Sequence, residues 1–187
     1  MMHPVRRALA LGLLLAMAGG LAQAQAPVNE AQVKAAFVFN FLKFIEWPSE
    51  TFVGPQDSLI VGIIGSGPTA DATAALLERK IVNNRPIGVR RLDGDAPIGA
   101  IHAVFIGDLD ARHAERVLSA VESDAIVSIG EDSGFATRGG IIGLVVEGQK
   151  IRFEINTAAA DSSRLRISSK LLALARIVRG TKDGSAP

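Results

Sequence analysis

The sequence predicts an α/β domain: a mixed, partly parallel sheet with helices on both faces and an antiparallel C-terminal hairpin. Three observations predict it. Lys150, Arg152 and Glu154 alternate strictly with Ile151, Phe153 and Ile155, the period of two expected of a half-buried strand. Residues 141–146 are apolar at nearly every position, as in a strand covered on both faces. Upstream, short apolar runs alternate with helical stretches, the pattern of a parallel sheet. Gly148-Gln149 fits a two-residue hairpin turn with glycine first. Pairing Glu147 with Lys150 puts opposite charges across the ladder. The same register stacks Ile142 on Ile155, Leu144 on Phe153 and Val146 on Ile151, all on one face.

The elements follow in order. Residues 1–24 read as an export signal: His3, Arg6 and Arg7 give a basic start, residues 8–18 are apolar but too short to span a bilayer, and Ala22-Gln23-Ala24 is a small-residue cleavage site. Cleavage is expected after Ala24 or Ala26, which places the mature chain outside the cytoplasm. The mature chain then carries 18 basic against 19 acidic residues, a net charge of −1. One domain is expected over residues 28–180, and 181–187 read as a flexible tail. Residues 28–47 predict a helix, with Asn29 as N-cap, Gln32 completing a capping box, Val28 stapled to Val33, and Pro48 as the stop. Phe37, Val38, Phe41, Leu42, Phe44 and Ile45 face a core, whereas Asn40, Lys43 and Glu46 form a polar stripe. Phe39 falls beside that stripe; either another element covers it or it is presented to a partner.

Residues 58–65 predict a buried strand, and a helix runs on to about Lys80. Asn83-Asn84 is a turn, 87–91 a short strand, 103–106 another, and Asp108 or Asp110 caps a helix bearing Ala114, Val117, Leu118 and Val121. Residues 126–129 form a strand, and 130–139 a loop holding Phe135 and Arg138. After the hairpin, 157–163 is a turn or short helix and 164–167 a brief strand. Ser168 or Ser169 caps a last helix that ends at Gly180.

Composition narrows the function. With 48% hydrophobic and 21% charged residues and a formal net charge of +1, nothing favours nucleic acid or an anionic membrane surface. The absence of cysteine excludes disulfides, Cys-ligated zinc and thiol catalysis. Gly65-Ser66-Gly67-Pro68-Thr69-Ala70 fits G-x-G-x-x-A, but Pro68 lacks an amide and no acid ends the next strand, so a tight turn is the expected reading and no cofactor is expected. His102 and His113 are too few and too separated for a metal cluster. No nucleophile–base arrangement is visible, so an enzyme is not expected. Arg85, Arg138, Arg164 and Arg166 lie near strand ends or loops. They either stay separate at the surface or converge with Asn156 on an anion.

The chain also resembles the YfiR-like periplasmic family. The resemblance rests on Lys34-Ala-Ala-Phe-Val-Phe-Asn-Phe-Leu-Lys-Phe-Ile-Glu-Trp-Pro48, Asn84-Arg-Pro-Ile87, His102-Ala-Val-Phe-Ile106, Phe135 with Gly139-Gly140, Lys150-Ile-Arg-Phe-Glu-Ile-Asn156 and Ile167-Ser-Ser-Lys-Leu-Leu172. It spans about residues 33–178. Two departures stand out: the loop after the first strand lacks the family's acid and aromatic, and Ile101 stands where relatives carry a cysteine, so disulfide-based redox control does not carry over. The resemblance implies a non-enzymatic repressor that binds the periplasmic part of an inner-membrane diguanylate cyclase. Such a repressor lowers cyclic di-GMP output and biofilm formation, and an outer-membrane lipoprotein can sequester it. Phe39, Trp47 and Phe52 are the expected contact surface, and a homodimer is compatible with this reading. The alternative is a small-ligand sensor in which Arg85, His102, Asn156, Arg164 and Arg166 recognise an anion or a nucleotide-like molecule.

Overall fold

The structure, a computed structural model, describes residues 29–94 and 98–180. The export signal, the tail 181–187 and Val28 with its expected staple lie outside the described residues.

Helix α1, Glu30–Leu42, starts where Asn29 Oδ1 accepts the Ala31 N–H at 3.1 Å. It ends five residues before the sequence expects. Lys43 closes it through Asn40 O and Phe41 O. The chain then runs into strand β1, Ile45–Glu46, which pairs antiparallel with β9, Arg166–Ile167, while Ser168 N–H donates to Phe44 O at 2.9 Å. The helical pattern of residues 43–47 is real, but long-range pairing outweighs a weak local preference.

An eight-stranded sheet carries the rest. Its strands are β2 (Leu59–Ile64), β3 (Ile81–Val82), β4 (Arg85–Leu92), β5 (Ala103–Ile106), β6 (Val127–Gly130), β7 (Ile142–Glu147), β8 (Lys150–Asn156) and β10 (Arg176–Val178), in the order β10-β8-β7-β6-β5-β2-β4-β3. The pairs β2–β4, β2–β5, β5–β6, β6–β7 and β8–β10 are parallel. The pairs β3–β4 and β7–β8 are antiparallel. Asn83 and Asn84, both at positive φ (49° and 65°), form the β3–β4 turn, as a mirror-image two-residue turn requires. The β7–β8 register is the one the sequence sets, from Glu147 opposite Lys150 to Ile142 opposite Ile155.

The last helix differs from expectation. Ser168 caps α5, which spans only Ser169–Leu172, and β10 follows, parallel to β8 with Arg176 opposite Glu154. Ile177 and Val178 are β-branched, and Arg176 reaches Glu154 (2.5 Å) and Glu147 (3.1 Å) on the hairpin. The hairpin is therefore not the sheet edge; β10 is.

Residues of β2 alternate between two cores. Val61 and Ile63 meet α1 and α2 (Pro68–Leu77), together with Ala160 of α4 (Thr157–Ser162) and Leu171. Ile64 meets α3 (Ala111–Val121) and Phe135 on the opposite face.

One polar network crosses the first core. Lys34, 8% exposed, pairs with Glu131 Oε2 (2.8 Å) and Glu30 Oε1 (2.7 Å), and Thr69 Oγ1 donates to Glu131 Oε2 at 2.9 Å. Burial pulls the Lys34 ammonium down, but its bonds and attraction to Glu131 and Glu30 outweigh this and hold it above the ordinary value. Lys34→Met strands Glu131 among buried neighbours. It is expected to lower stability by about 2 kcal/mol, and Lys34→Met with Glu131→Gln to recover part of the loss. Urea denaturation of the two variants and the wild type measures both effects.

Candidate functional site

Ligands of open parallel sheets usually bind at the carboxyl ends of the strands where strand order reverses. Here that point lies between β2 and β5, and backbone closes it. Ser66 N–H donates to Asp108 O (3.2 Å) and Asp108 N–H to Ser66 O (2.9 Å). A side chain at Gly65 would lie 2.8 Å from Asp108 O, and one at Gly107 2.5 Å from Ser66 O. The two glycines let the loops zip together, so the G-x-G-x-x-A stretch acts as a tight turn with its Ser66 amide already engaged. Among the described residues, no group of three or more His, Cys, Asp or Glu side chains is placed to hold a metal ion. No helix among them is long and apolar enough to cross a membrane.

The densest set of candidate residues lies beside the start of β2. Pro48 turns the chain out of β1 into a 3-10 turn, Ser49–Thr51, and residues 52–57 loop back towards β2. Arg85, the first residue of β4, pins this loop by donating from Nη1 to Gly54 O (2.8 Å) and Asp57 O (3.1 Å). Its guanidinium lies 3.8 Å over the Phe52 ring, and the His102 ring stacks on Phe52 at 4.5 Å and 12°. Two planar groups that close to one ring must take opposite faces, so Phe52 lies between a cation and an imidazole. Trp47 meets Phe52 edge-on at 6.3 Å and donates from Nε1 to His102 O at 3.0 Å. Trp47, Phe52, Arg85 and His102 are each half-buried, whereas Val53 beside them is fully exposed.

His102 is held neutral. Its Nδ1 accepts the Ile60 N–H at 2.9 Å, a role that a proton on Nδ1 abolishes. Burial lowers its pKa below the ordinary 6.5 and Arg85 pushes the same way, while a bond to the Thr51 backbone and the Asp57 carboxylate oppose. Because the folded value is the lower one, unfolding takes up a proton. The contribution of His102 is therefore complete above pH 6.5 and is lost as pH falls through the folded value. His102→Asn places a non-titrating oxygen near Nδ1. Its melting temperature is expected to fall less steeply than that of the wild type on acidification below pH 6.5, as a series of melts at stepped pH will measure.

The other candidates divide among separate places. Arg164 and Arg166 share a cleft with Trp47, Glu46 and Glu50. There Arg164 Nη1 stands 3.5 Å from Glu50 Oε1, and Arg166 Nε stands 3.9 Å from Glu46 Oε2. All four are exposed, so these pairs hold little energy in water. Phe39 is half-buried against the core, with Lys43 Nζ 4.0 Å and Lys80 Nζ 5.7 Å from its ring centre. Its outer neighbours are cations and not the Trp47–Phe52 pair. Asn156, 2% exposed, caps α4 by accepting the Ala159 N–H (3.1 Å) and donates to Ala136 O (2.9 Å). It opens on a cavity that Arg138 also lines, apart from the cleft of Arg164 and Arg166. Arg138 pairs with Asp132 and the Ser133 carbonyl. The structure thus joins Trp47 and Phe52 to Arg85 and His102, and joins Arg164 to Arg166. It does not gather all the arginines around Asn156.

Sequence reasoning named these residues but assigned them to two unrelated sets. The stack needs three segments that only the fold brings together. One signal was available: Phe52 follows Trp47 by five residues across a proline, so both aromatics belong to one turn.

The YfiR/HmsC-like family model matches residues 31–176 of the chain. Among solved structures, the crystal structure of the ABC domain in complex with L-Trp from Streptococcus pneumonia superposes with a TM-score of 0.51 at 11% identity. The alignment covers 79% of this chain and 60% of that one. At that identity the likeness is one of fold.

Proposed function

The chain belongs to the YfiR/HmsC-like family, whose members are periplasmic regulators acting with a diguanylate cyclase, and from that premise we propose that it is a non-enzymatic repressor. It binds the periplasmic sensor part of an inner-membrane diguanylate cyclase and holds it inactive, lowering cyclic di-GMP output and biofilm formation. The signal directs export and is cleaved after Ala24 or Ala26. An outer-membrane lipoprotein competes for the repressor.

The observation that carries this reading beyond the family is the Trp47–Phe52 surface. Both rings are half-exposed yet fixed by Arg85 and His102. Pre-ordered aromatics beside an arginine are the composition of interface hot spots, and fixing them in advance reduces the entropy lost on docking. A regulator need only bind one conformational state of the sensor better than the other to shift its equilibrium. Nothing in that mechanism requires chemistry at the surface. Co-purification of the exported chain with the sensor domain of a candidate cyclase tests the proposal. A complex stable at about 10 µM is expected, and a folded chain that fails to bind at that concentration counts against it.

A second reading, a small-ligand sensor, draws its support from the cavity beside Asn156. Arg85 and His102 are committed to Phe52, and Arg164 and Arg166 face their own carboxylates, so these four do not form one anion pocket with Asn156.

A further inference from the structure

We propose that the cavity between α3, α4 and β6 is a binding site for a small, largely apolar molecule carrying one uncharged hydrogen-bond acceptor. The cavity has a volume of about 190 Å³, and its apolar walls come from Leu118, Val121, Ile126, Ile141 and Ala159. An apolar cavity of roughly 150 Å³ accepts benzene, so a ring with one substituent fits.

Three polar side chains line the same space, each more than nine-tenths buried: Ser128 and Asn156 at 2% exposure and Ser163 at 4%. Two of them hold donors. Ser128 Oγ accepts the Ile141 N–H at 3.0 Å, which leaves its own proton to donate. Asn156 uses Oδ1 on Ala159 and one N–H on Ala136 O, which leaves a second N–H. Buried donors without acceptors are costly, so a ligand that brings an acceptor to this wall gains more than its apolar area supplies.

The rim decides the charge. Glu115 of α3 stands at the cavity, and the one cation among the described residues that line it, Arg138, is already paired with Asp132. A carboxylate and a neutralised guanidinium disfavour an anion, so the acceptor is a carbonyl and not a carboxylate. The cavity shares no lining residue with the Trp47–Phe52 surface, so this site stands or falls separately from the repressor reading.

Benzamide is the probe, with toluene and benzoate as matched controls. Each is titrated into the exported chain while backbone amide shifts are followed. Benzamide is expected to saturate with a dissociation constant of order 1 mM, moving amides of Leu118, Ile126 and Ala159, and each control to bind at least about tenfold more weakly. Ser128→Ala is expected to weaken benzamide about fivefold. Ala158→Leu, at an exposed position on the rim, is expected to block it without changing the melting temperature of the free protein. Absence of saturation at about 20 mM, equal binding of toluene, or unchanged binding to Ala158→Leu overturns the proposal.

Discussion

Gly140→Ala is expected to cost at least about 3 kcal/mol, the upper end of what overpacking usually costs and a large share of the roughly 5–15 kcal/mol that holds a domain folded. The reason is the Phe135 ring. It is 2% exposed and closes the core between the sheet and α3. Glycines flank it on both sides. A β-carbon at Gly140 would stand 2.2 Å from Phe135 Cε1 and 2.4 Å from Cδ1, while one at Gly130 would stand 2.5 Å from Cδ2. Carbon atoms in contact rest about 3.5–4.0 Å apart, so a methyl at Gly140 is more than 1 Å too close. The ring cannot swing away, because the Gly130 backbone holds its other side. The backbone is tied as well, by the Gly140 N–H donating to Phe135 O at 3.0 Å. Denaturant unfolding measures the loss as a lower midpoint at an unchanged slope. Gly140→Ala with Phe135→Leu tests the cause: a smaller side chain makes room for the methyl, so the double variant is expected to be more stable than the two single losses sum to. A Gly140→Ala protein with the wild-type midpoint, or strictly additive losses, rules out the clamp.

That clamp was half visible in the sequence. Phe135 stands five residues from Gly130 and five from Gly140, and the resemblance already grouped it with Gly139-Gly140. What the sequence could not show is that all three backbones meet at one ring. The β7–β8 register was legible to the residue, because alternation and the Glu147–Lys150 pair constrain a local hairpin twice over. The two misread helix ends share a cause. Residues 43–47 and 173–178 carry apolar periodicity that suits a helix, yet each finds a strand partner, at Arg166–Ile167 and along residues 154–156. The first partner is some 120 positions away and the second, though closer, is a parallel strand reached by a crossover through α4, β9 and α5, so neither leaves a local trace. The candidate cluster was legible residue by residue and not as a cluster. Trp47, Phe52, Arg85 and His102 each drew notice, but the stack joining them is purely tertiary.

Because the stack is tertiary, Phe52 is the place where a single change tests function most sharply. Phe52→Ala removes the ring between Arg85 and His102 and the edge contact of Trp47. The aromatic surface then loses both its area and its order. Truncating a central aromatic anchor typically costs about 2–4 kcal/mol of binding, a loss of roughly 30- to 1,000-fold in affinity for the cyclase sensor domain. Calorimetric titration reads that loss directly. Phe52 also contributes to stability, so a second variant separates contact from folding. Val53 is fully exposed beside it and supports nothing in the core, so Val53→Asp leaves the melting temperature unchanged while placing a charge in the contact. It is expected to weaken binding by at least tenfold. Phe39→Ala supplies the contrast. Its ring already has Lys43 and Lys80 as neighbours, so its loss is expected to weaken binding less than either of the other changes. If Phe52→Ala and Val53→Asp both bind the sensor as tightly as the wild type, the partner docks elsewhere, and the stacked ring serves only to fasten the loop onto β4.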